Sequence, residues 1–329
     1  MGFLGCFFSS LIFRICCALN KFKELYENTR GAVKWLRDDK SVWLVRFSVR
    51  DLPVPEAELL IDDKLTLKRI SDQEGLVMAH IVTETERDED NYIMELGKRY
   101  LEDFLDAYCL VTGDAAWICS DEGASQLRKR EGVGGSGSVF SGQVLVRALP
   151  PVEVQRQGLD LAKDAFLVYK SLSEESKRYL RTAMSRFRLS KLADRPDDSL
   201  VDLWIGLESL YSIEHEELSY RISHRAATLL TEIDSERPTI FHDLRELYQK
   251  RSLVVHGKMI DISPEEVDRL GSYLVESIRR FLKLCRKHPG KEAIIKLLDD
   301  CILDNESREK LANTLKEPNE DARRIGVLT

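Results

Sequence analysis

The chain has 329 residues, a length that predicts about two domains. Hydrophobic residues make up 43% of it and charged residues 32%, which is typical of a globular protein and excludes a wholly disordered chain. The net charge of -7 excludes a global basic field that would attract nucleic acid, so any RNA contact must come from a local patch or cleft.

The first 20 residues, MGFLGCFFSSLIFRICCALN, are apolar for nearly the length of a membrane span, although Arg14 interrupts them. A cleaved signal peptide is not expected, because no charged region precedes the stretch and no A-x-A site follows it. Gly2 invites N-myristoylation, yet Cys6 stands where that motif has Ser or Thr. Three interpretations of this N-terminal segment, assigned as residues 1–29, stay open: a membrane-associating helix, an apolar helix docked on the protein, or non-native residues from a mis-assigned start.

Residues 30–150 are predicted to form a small α+β domain of unknown role. The segment SVWLVRFSVR at 41–50 alternates between apolar and polar residues, which predicts a strand with one buried face. Leu65–Ile70 and Leu76–Val82 are two further strand candidates. With Ser71–Gly75 as the turn between them, they predict a hairpin.

The same domain continues with a helix, a loop and a last strand. Apolar residues recur at three- and four-residue steps from Ile93 to Tyr108, and Gly113 is placed to end this helix. Residues 121–142 are polar and rich in Gly and Ser but lack G-x-x-x-x-G-K-[ST], so a flexible loop is predicted rather than a phosphate-binding loop. Gln143–Ala148 predicts the last strand.

After Pro151 the pattern becomes helical. Residues 151–288 are predicted to form an up-and-down helical bundle, followed at 289–329 by a helical extension and a polar tail. The apolar periods and capping residues predict helices at about 154–172, 174–192, 199–212, 216–232, 238–256, 264–287, 290–303 and 306–316. The predicted fold class is therefore mixed, with a small α+β N-terminal domain and an all-α bundle after it.

The sharpest feature of the bundle is the segment YQKRSLVVHGK, in which four residues separate Arg251 from His256. The bare R-x(4–6)-H pattern has low specificity, and Arg237 and His242 share the same spacing. Context favours the first pair, because it closes a long amphipathic helix, encloses mostly apolar residues and precedes Gly257. A histidine at a helix C-terminus also gains from the helix dipole.

Three segments resemble the HEPN domains of the ApeA-like group: LWIGLESLYS at 203–212, ELSYRISHRAATLL at 217–230 and LYQKRSLVVHG at 247–257. The resemblance covers roughly residues 155–285 and does not reach residues 1–150. It implies a bundle of four or five helices that dimerises and brings two R-x(4–6)-H motifs to one cleft. Many such domains are metal-independent endoribonucleases of toxin, CRISPR-associated or antiphage systems, and others are inactive RNA-binding or scaffold modules.

The resemblance carries over to Arg251, Ser252 and His256, with Ser252 standing where the family often has Asn, Asp or His. An imidazole can move the proton of an RNA 2′-OH and a guanidinium can hold the phosphate, so no metal or other cofactor is expected. The expected products are a 2′,3′-cyclic phosphate and a 5′-hydroxyl. The 7 scattered cysteines include no C-x-x-C pair, which favours reduced thiols in a cytosolic protein.

Glu208 and Tyr248 are the supporting candidates. Glu208 either orients Arg251 or bridges to some other buried basic group. Tyr248 either packs in the core, or stacks on a base or donates to a phosphate. His224 and Arg225 are expected to be solvated or structural. Two basic clusters are expected to be solvated helix faces, or to guide an RNA backbone if both border the cleft. They comprise Arg178, Arg181, Arg186, Arg188 and Lys191, and Arg279, Arg280, Lys283, Arg286 and Lys287.

On a regular helix, Arg251 and His256 would point about 140° apart. We therefore expect a distorted helix end, a long reach by the arginine, or completion of the site by a partner chain, and the last of these predicts a two-fold homodimer. The expected function is an HEPN-type endoribonuclease with RNA as its partner. The alternative is an inactive HEPN module that binds RNA or a protein.

Overall fold

The computed structural model describes residues 40–52, 54, 56–70, 76–87, 89–128, 138–139, 156–213, 216–288 and 290–316. The apolar segment 1–20, the turn at 71–75 and the strand at 143–148 lie outside the described residues, so the expectations for them stay predictions. Within the described part, no helix combines the length and the apolar character that crossing a membrane requires.

The N-terminal half contains an antiparallel sheet. Its strands are β1 (Ser41–Arg50), β2 (Glu58–Leu60), β3 (Leu65–Arg69), β4 (Leu76–Thr85), β5 (Trp117–Arg128) and β6 (Ser138–Val139). They lie in the order β2-β3-β4-β1-β5-β6, and every neighbouring pair is antiparallel. The predicted strand at 41–50 and the predicted pairing of the next two strands are confirmed.

β1 is largely buried on both faces, which corrects the expectation of a single buried face. On its polar face, Ser48 is only 6% exposed and donates a hydrogen bond to Glu122 Oε1 at 2.6 Å. On the same face, Arg46 donates to Ser125 Oγ at 2.9 Å. Because side chains of β5 satisfy these polar groups, the second face is buried without leaving them unpaired.

β5 overlaps the predicted loop at 121–142, and that prediction was therefore wrong for its first part. The strand pairs with β1, but the register shifts at three places along the pair. Gly123 within it adopts a φ of 96°. Each shift breaks the two-residue alternation on which a strand prediction depends. Most of the remaining loop, residues 129–137 and 140–142, lies outside the described residues.

One helix, α1 (Asp90–Thr112), follows β4 in the first half of the chain. The second half is helical, as predicted. Its helices are α2 (Arg156–Ser171), α3 (Glu174–Leu192), α4 (Pro196–Tyr211), α5 (Leu218–Leu230), α6 (Arg237–Val255), α7 (Pro264–Leu284), α8 (Lys291–Leu303) and α9 (Asn305–Lys316). Pro196 begins α4 and does not merely interrupt the chain, because its fixed φ suits the first turn of a helix. The predicted cap Ser173 is confirmed, since its side chain accepts the N–H of Ser176 at 3.2 Å.

Helix α1 connects the sheet to the helical half. A Cβ added at Gly97 would lie 2.9 Å from Val45, so glycine allows α1 to lie close against β1. On the bundle side, Asp106 of α1 accepts a hydrogen bond from Arg188 Nε of α3 at 2.6 Å, and both residues are buried. Burial raises the pKa of Asp106 to about 6, although the Arg188 charge opposes this shift.

Helix α4 lies at the centre of the bundle, in contact with α3, α5, α6 and α7. Its predicted apolar stripe is confirmed as buried, and consists of Leu200, Leu203, Trp204, Leu207, Leu210 and Tyr211. Gly206 allows the close approach of α7, because a Cβ there would lie 2.6 Å from Leu274 Cδ2. This packing fixes the position of the helix that carries Glu208.

Candidate functional site

The Arg251–His256 segment forms the last turns of α6. The helix ends at Val255, His256 is its C-cap, and Gly257 follows with a φ of 73°. The Gly257 N–H donates to the Val254 carbonyl at 2.8 Å, and the Lys258 N–H donates to the Leu253 carbonyl at 2.9 Å. These two bonds make a Schellman end, in which glycine supplies the left-handed residue.

Arg251 lies against α4 and is partly exposed. Its Nη2 is 3.3 Å from Glu208 Oε1, and the two side chains are 21% and 24% exposed. The guanidinium also lies over the ring of Tyr248, 5.7 Å from its centroid. Arg251 Nε is buried without a hydrogen-bond partner among the described residues. One face of the guanidinium is therefore fixed by protein contacts, while a donor is left unused.

Tyr248 packs into the bundle and also supports the arginine. Its ring meets that of buried Trp204 edge to face, with 5.1 Å between the centroids. Such a contact holds the tyrosine ring in one orientation. Of the roles considered for Tyr248, the structure shows the packing role, while base stacking and donation to a phosphate stay predictions.

Glu208 bridges to Arg251, which is one of the two contacts expected of it. Burial raises the pKa of Glu208, and the positive charge of Arg251 acts in the opposite direction. The positive charge of Arg251 therefore favours the charged form of this carboxylate. In return it holds the guanidinium on the α4 side of α6.

His256 has a different environment from Arg251. The residue is exposed, and its backbone N–H donates to the Ser252 carbonyl at 3.1 Å. Within the described residues, no hydrogen bond or ring contact joins its side chain to that of Arg251. Ser252 contributes its carbonyl to the helix end, and its side chain is partly exposed. The structure thus brings Arg251, Glu208 and Tyr248 together and leaves His256 at the adjoining surface.

The turn between α6 and α7 is fixed at both ends. Ser263 and Glu266 form a capping box at the start of α7, and Glu266 also pairs with Lys250 near the end of α6. The residues between these anchors include His256, Lys258 and Met259, all of them exposed. The turn therefore presents an imidazole, an ammonium group and an apolar side chain to solvent at one defined place.

The two basic clusters are solvated only in part: Arg178, Lys191, Arg286 and Lys287 are exposed, while other members are paired within the fold. In the first cluster, Arg188 is 7% exposed and paired with Asp106, and Arg181 is paired with Asp103 at 2.8 Å. In the second, Arg280 donates to the Leu229 carbonyl at 2.5 Å and to Glu276. These side chains join helices to one another. Asp103, Asp106 and Leu229 lie more than 50 residues from the arginines they contact, so spacing alone did not reveal these contacts.

Arg225 has a structural role, which is one of the two roles expected of it. Its guanidinium is fully enclosed and donates to both carboxylate oxygens of Asp299 and to the Tyr211 carbonyl. His224, its neighbour, lines a cavity.

The four cysteines in the described part, Cys109, Cys119, Cys285 and Cys301, are free thiols. No group of three or more His, Cys, Asp or Glu side chains in that part is arranged to hold a metal ion.

The second R-x-x-x-x-H pair also lies at a distinct place. Arg237 begins α6, and both Arg237 and His242 line a cavity of about 420 Å³ together with His224, Tyr220 and Phe241. Sequence reasoning set this pair aside because it lies at a polar helix start. The segments SYRISHR and RPTIFH combine aromatic and basic residues, and this pattern was the sequence signal that could have indicated the cavity.

Comparison of the chain with protein-family models, with curated proteins and with solved structures found no match.

Proposed function

We propose that the chain is a metal-independent endoribonuclease of HEPN type, acting in antiphage defence or stress response, with Arg251 and His256 as its catalytic residues. The observation that carries the proposal is the state of Arg251. Its guanidinium is partly exposed and is held by Glu208, which pairs with Nη2, and by the ring of Tyr248. A fixed guanidinium with spare donors is suited to bind a phosphate.

The three segments that resemble ApeA-like HEPN domains support this proposal. They fall on α4, α5 and α6, and these three helices contact one another. Glu208 and Arg251 come from the first and third segments and form an ion pair. Two of the three segments thus contribute side chains to one site, which supports the resemblance.

In the proposed reaction the RNA supplies its own nucleophile. Neutral His256 accepts the proton of the 2′-OH, the 2′-oxygen attacks phosphorus, and the bond from phosphorus to the 5′-oxygen breaks. A water molecule protonates the departing 5′-oxygen, and the imidazolium returns its proton to the resulting hydroxide. The products are a 2′,3′-cyclic phosphate and a 5′-hydroxyl. Arg251 stabilises the negative charge that develops on the phosphate. DNA lacks the 2′-OH and is not cleaved by this route.

The proposal includes a homodimer, since Arg251 faces α4 and His256 faces solvent within one chain. Val255 and Met259, which flank the histidine region, are exposed apolar residues. Exposed apolar residues next to an incomplete site favour a two-fold contact there. In such a dimer the arginine of one subunit meets the histidine of the other.

Cleavage of single-stranded RNA in the presence of EDTA tests the reaction. We expect His256→Ala to slow cleavage by about 10²–10⁴-fold and Arg251→Ala by about 10²–10³-fold. His242→Ala, which removes the histidine of the second pair, is the matched control and should cleave saturating RNA at the wild-type rate. Equal cleavage by wild type and His256→Ala would refute the proposal, and loss only in His242→Ala would transfer it to the other pair.

Mixing the two inactive variants tests the shared site. If the site takes its arginine and histidine from different subunits, dimers of Arg251→Ala with His256→Ala contain one intact site. Since about half of randomly mixed dimers are of this kind, activity should recover to about a quarter of wild type. If both residues act within one subunit, the mixture stays inactive, and the shared-site part of the proposal fails.

A second candidate function is an RNA-binding HEPN module without catalysis. The Glu208 carboxylate favours it, because it occupies the face of Arg251 that it contacts and competes with a phosphate for the guanidinium. If this function is correct, Glu208→Gln should strengthen RNA binding. Neither the wild type nor any variant should then yield a cyclic phosphate. Cleavage by wild type that His256→Ala abolishes would exclude it.

A further inference from the structure

A cavity of about 420 Å³ lies between α5, the first turns of α6 and the end of α8. Its wall includes Tyr220, His224, Arg237, Phe241 and His242. The volume falls in the range of pockets that hold small organic ligands. Arg251 and His256 do not line it, so a role for this cavity is independent of the proposed catalytic pair.

One wall of the cavity is aromatic and partly open to solvent. Tyr220 is 49% exposed, and its ring lies 5.6 Å from that of Phe241, edge to face. His224 lies 5.8 Å from Tyr220 and 6.1 Å from Phe241, and His242 lies 5.3 Å from Phe241. Exposed rings that are held in place by other rings offer flat faces for a planar ligand.

A second wall carries fixed guanidinium groups. Arg237 Nη1 is 3.0 Å from Asp234, while Arg237 Nε is buried without a hydrogen-bond partner among the described residues. Arg308 donates to the carbonyls of Cys301 and Ile302, which holds its position. Asp234 is 74% exposed, so an arriving anion could replace it at little cost.

His224 adds a polar group inside the cavity. Its Nδ1 is buried and has no hydrogen-bond partner among the described residues. Burial lowers the pKa of His224, so its imidazole is neutral at neutral pH and can accept or donate one hydrogen bond. Because His224 lines the cavity, its imidazole is a polar neighbour for a ligand that carries polar atoms.

A nucleotide unit combines the features that these walls recognise. Its base stacks on aromatic rings, the edge of the base forms hydrogen bonds, and its phosphate pairs with arginine. An adjoining cavity of about 310 Å³ shares Arg237 and Arg308 but also includes Glu232 and Glu309. These two carboxylates would repel a phosphate from the interior of the smaller cavity. We therefore place the phosphate at the shared arginines, with the base in the larger cavity beside Tyr220.

We propose that this cavity binds one nucleotide unit, with the base against Tyr220 and Phe241 and the phosphate at Arg237. The unit comes either from a single-stranded RNA or from a free nucleotide. In both cases the contacts are the same.

Calorimetric titration of the His256→Ala protein tests the proposal without interference from cleavage. The probes are AMP, GMP, CMP and UMP, the corresponding nucleosides, and a mixed-sequence RNA hexamer. We expect Tyr220→Ala to weaken binding by about 5- to 100-fold, the range of one lost base–aromatic stack. Arg237→Gln should weaken nucleotide binding by about tenfold or more and leave nucleoside binding unchanged.

Two exposed residues elsewhere serve as matched controls. Tyr92 on α1 is a partly exposed tyrosine with Arg87 over its ring, and Arg178 on α3 is an exposed arginine. Tyr92→Ala and Arg178→Gln should bind like the parent protein. Since Arg237 is partly buried, exposed His242→Ala serves as a second variant, with an expected loss of about 3- to 10-fold.

The outcomes separate the sources and decide the proposal. Tight binding of the hexamer with weak binding of the mononucleotides identifies RNA as the source, and the reverse identifies a free nucleotide. The proposal is overturned if neither class of probe binds at millimolar concentration, or if Tyr220→Ala and Arg237→Gln bind like their controls. None of these results depends on RNA cleavage, so failure of the proposed nuclease activity leaves them interpretable.

Discussion

Gly206→Ala is expected to destabilise the bundle, even though alanine is the better helix former. A Cβ at Gly206 would lie 2.6 Å from Leu274 Cδ2, 3.2 Å from Leu274 Cδ1 and 3.5 Å from the Ala183 carbonyl oxygen. Favourable carbon–carbon contacts are about 3.5–4.0 Å. Leu274 is fully buried and has no solvent-filled space to move into.

Two opposing effects set the size of the change. Overpacking of a core costs about 1–3 kcal/mol, and replacing glycine by alanine within a helix gains about 1 kcal/mol. The free energy of unfolding should therefore fall by about 1 kcal/mol, with an upper limit of about 2 kcal/mol. Urea unfolding followed by circular dichroism measures it.

Gly271→Ala is the matched control, since Gly271 also lies in the middle of a buried helix. A Cβ there would meet Phe187 at 3.7 Å and Leu203 at 4.0 Å, which are ordinary contacts. This variant should gain about 0.5–1 kcal/mol. In the double variant Gly206→Ala/Leu274→Ala, the alanine at 274 leaves space for the new Cβ at 206. The loss in free energy of unfolding should therefore be at least about 1 kcal/mol smaller than the sum of the two single losses. Equal stability changes for Gly206→Ala and Gly271→Ala would refute the reasoning.

Three further changes follow from the caps and the buried ion pair. Ser263→Ala removes the capping box of α7 and should lower the free energy of unfolding by about 1 kcal/mol in urea titration. Gly257→Ala places a side chain at a φ of 73° and should cost about 1 kcal/mol, with slower RNA cleavage as the loop shifts. Arg188→Met leaves the Asp106 carboxylate buried and unpaired, and should cost about 3–5 kcal/mol at pH 8. Because burial raises the folded-state pKa of Asp106, the folded form binds the proton more tightly, and this loss should shrink as the pH is lowered to 5.

The helices were predictable because their signals are local. Ser173 at a helix start, Gly257 after a helix end and the apolar stripe of α4 each lie within a few residues of the element they define. The strand β5 was not predictable, since its register shifts depend on pairing with β1, which is about 75 residues away along the chain.

For the candidate site, sequence reasoning located the residues but not all of their surroundings. The Glu208–Arg251 pair was one of two options for Glu208, whose apolar neighbours in sequence predicted a basic partner. The burial of Arg188 was missed, since its partner Asp106 lies in the other half of the chain. The cavity was missed for the same reason: Tyr220, Arg237 and Ile302 belong to three separate helices.

The two arginines of the repeated spacing lie on one helix, and this relates the proposed cavity to the proposed catalytic site. Arg237 and Arg251 are separated along α6 by about 21 Å and by about 40° around its axis. At about 3.4 Å per stacked nucleotide, a strand held at Arg237 reaches the level of Arg251 after about six nucleotides.

If one RNA strand contacts both places, the effect of the cavity on cleavage depends on RNA length. Tyr220→Ala should raise KM by about 5- to 100-fold for RNAs of about twelve nucleotides, and should leave KM unchanged for RNAs of about three nucleotides. Steady-state cleavage of the two substrates measures this, with Tyr92→Ala as the control. An equal rise in KM for both lengths would contradict a strand running along α6. A three-nucleotide RNA bound at Arg251 is too short to reach the cavity, so loss of Tyr220 should not affect it.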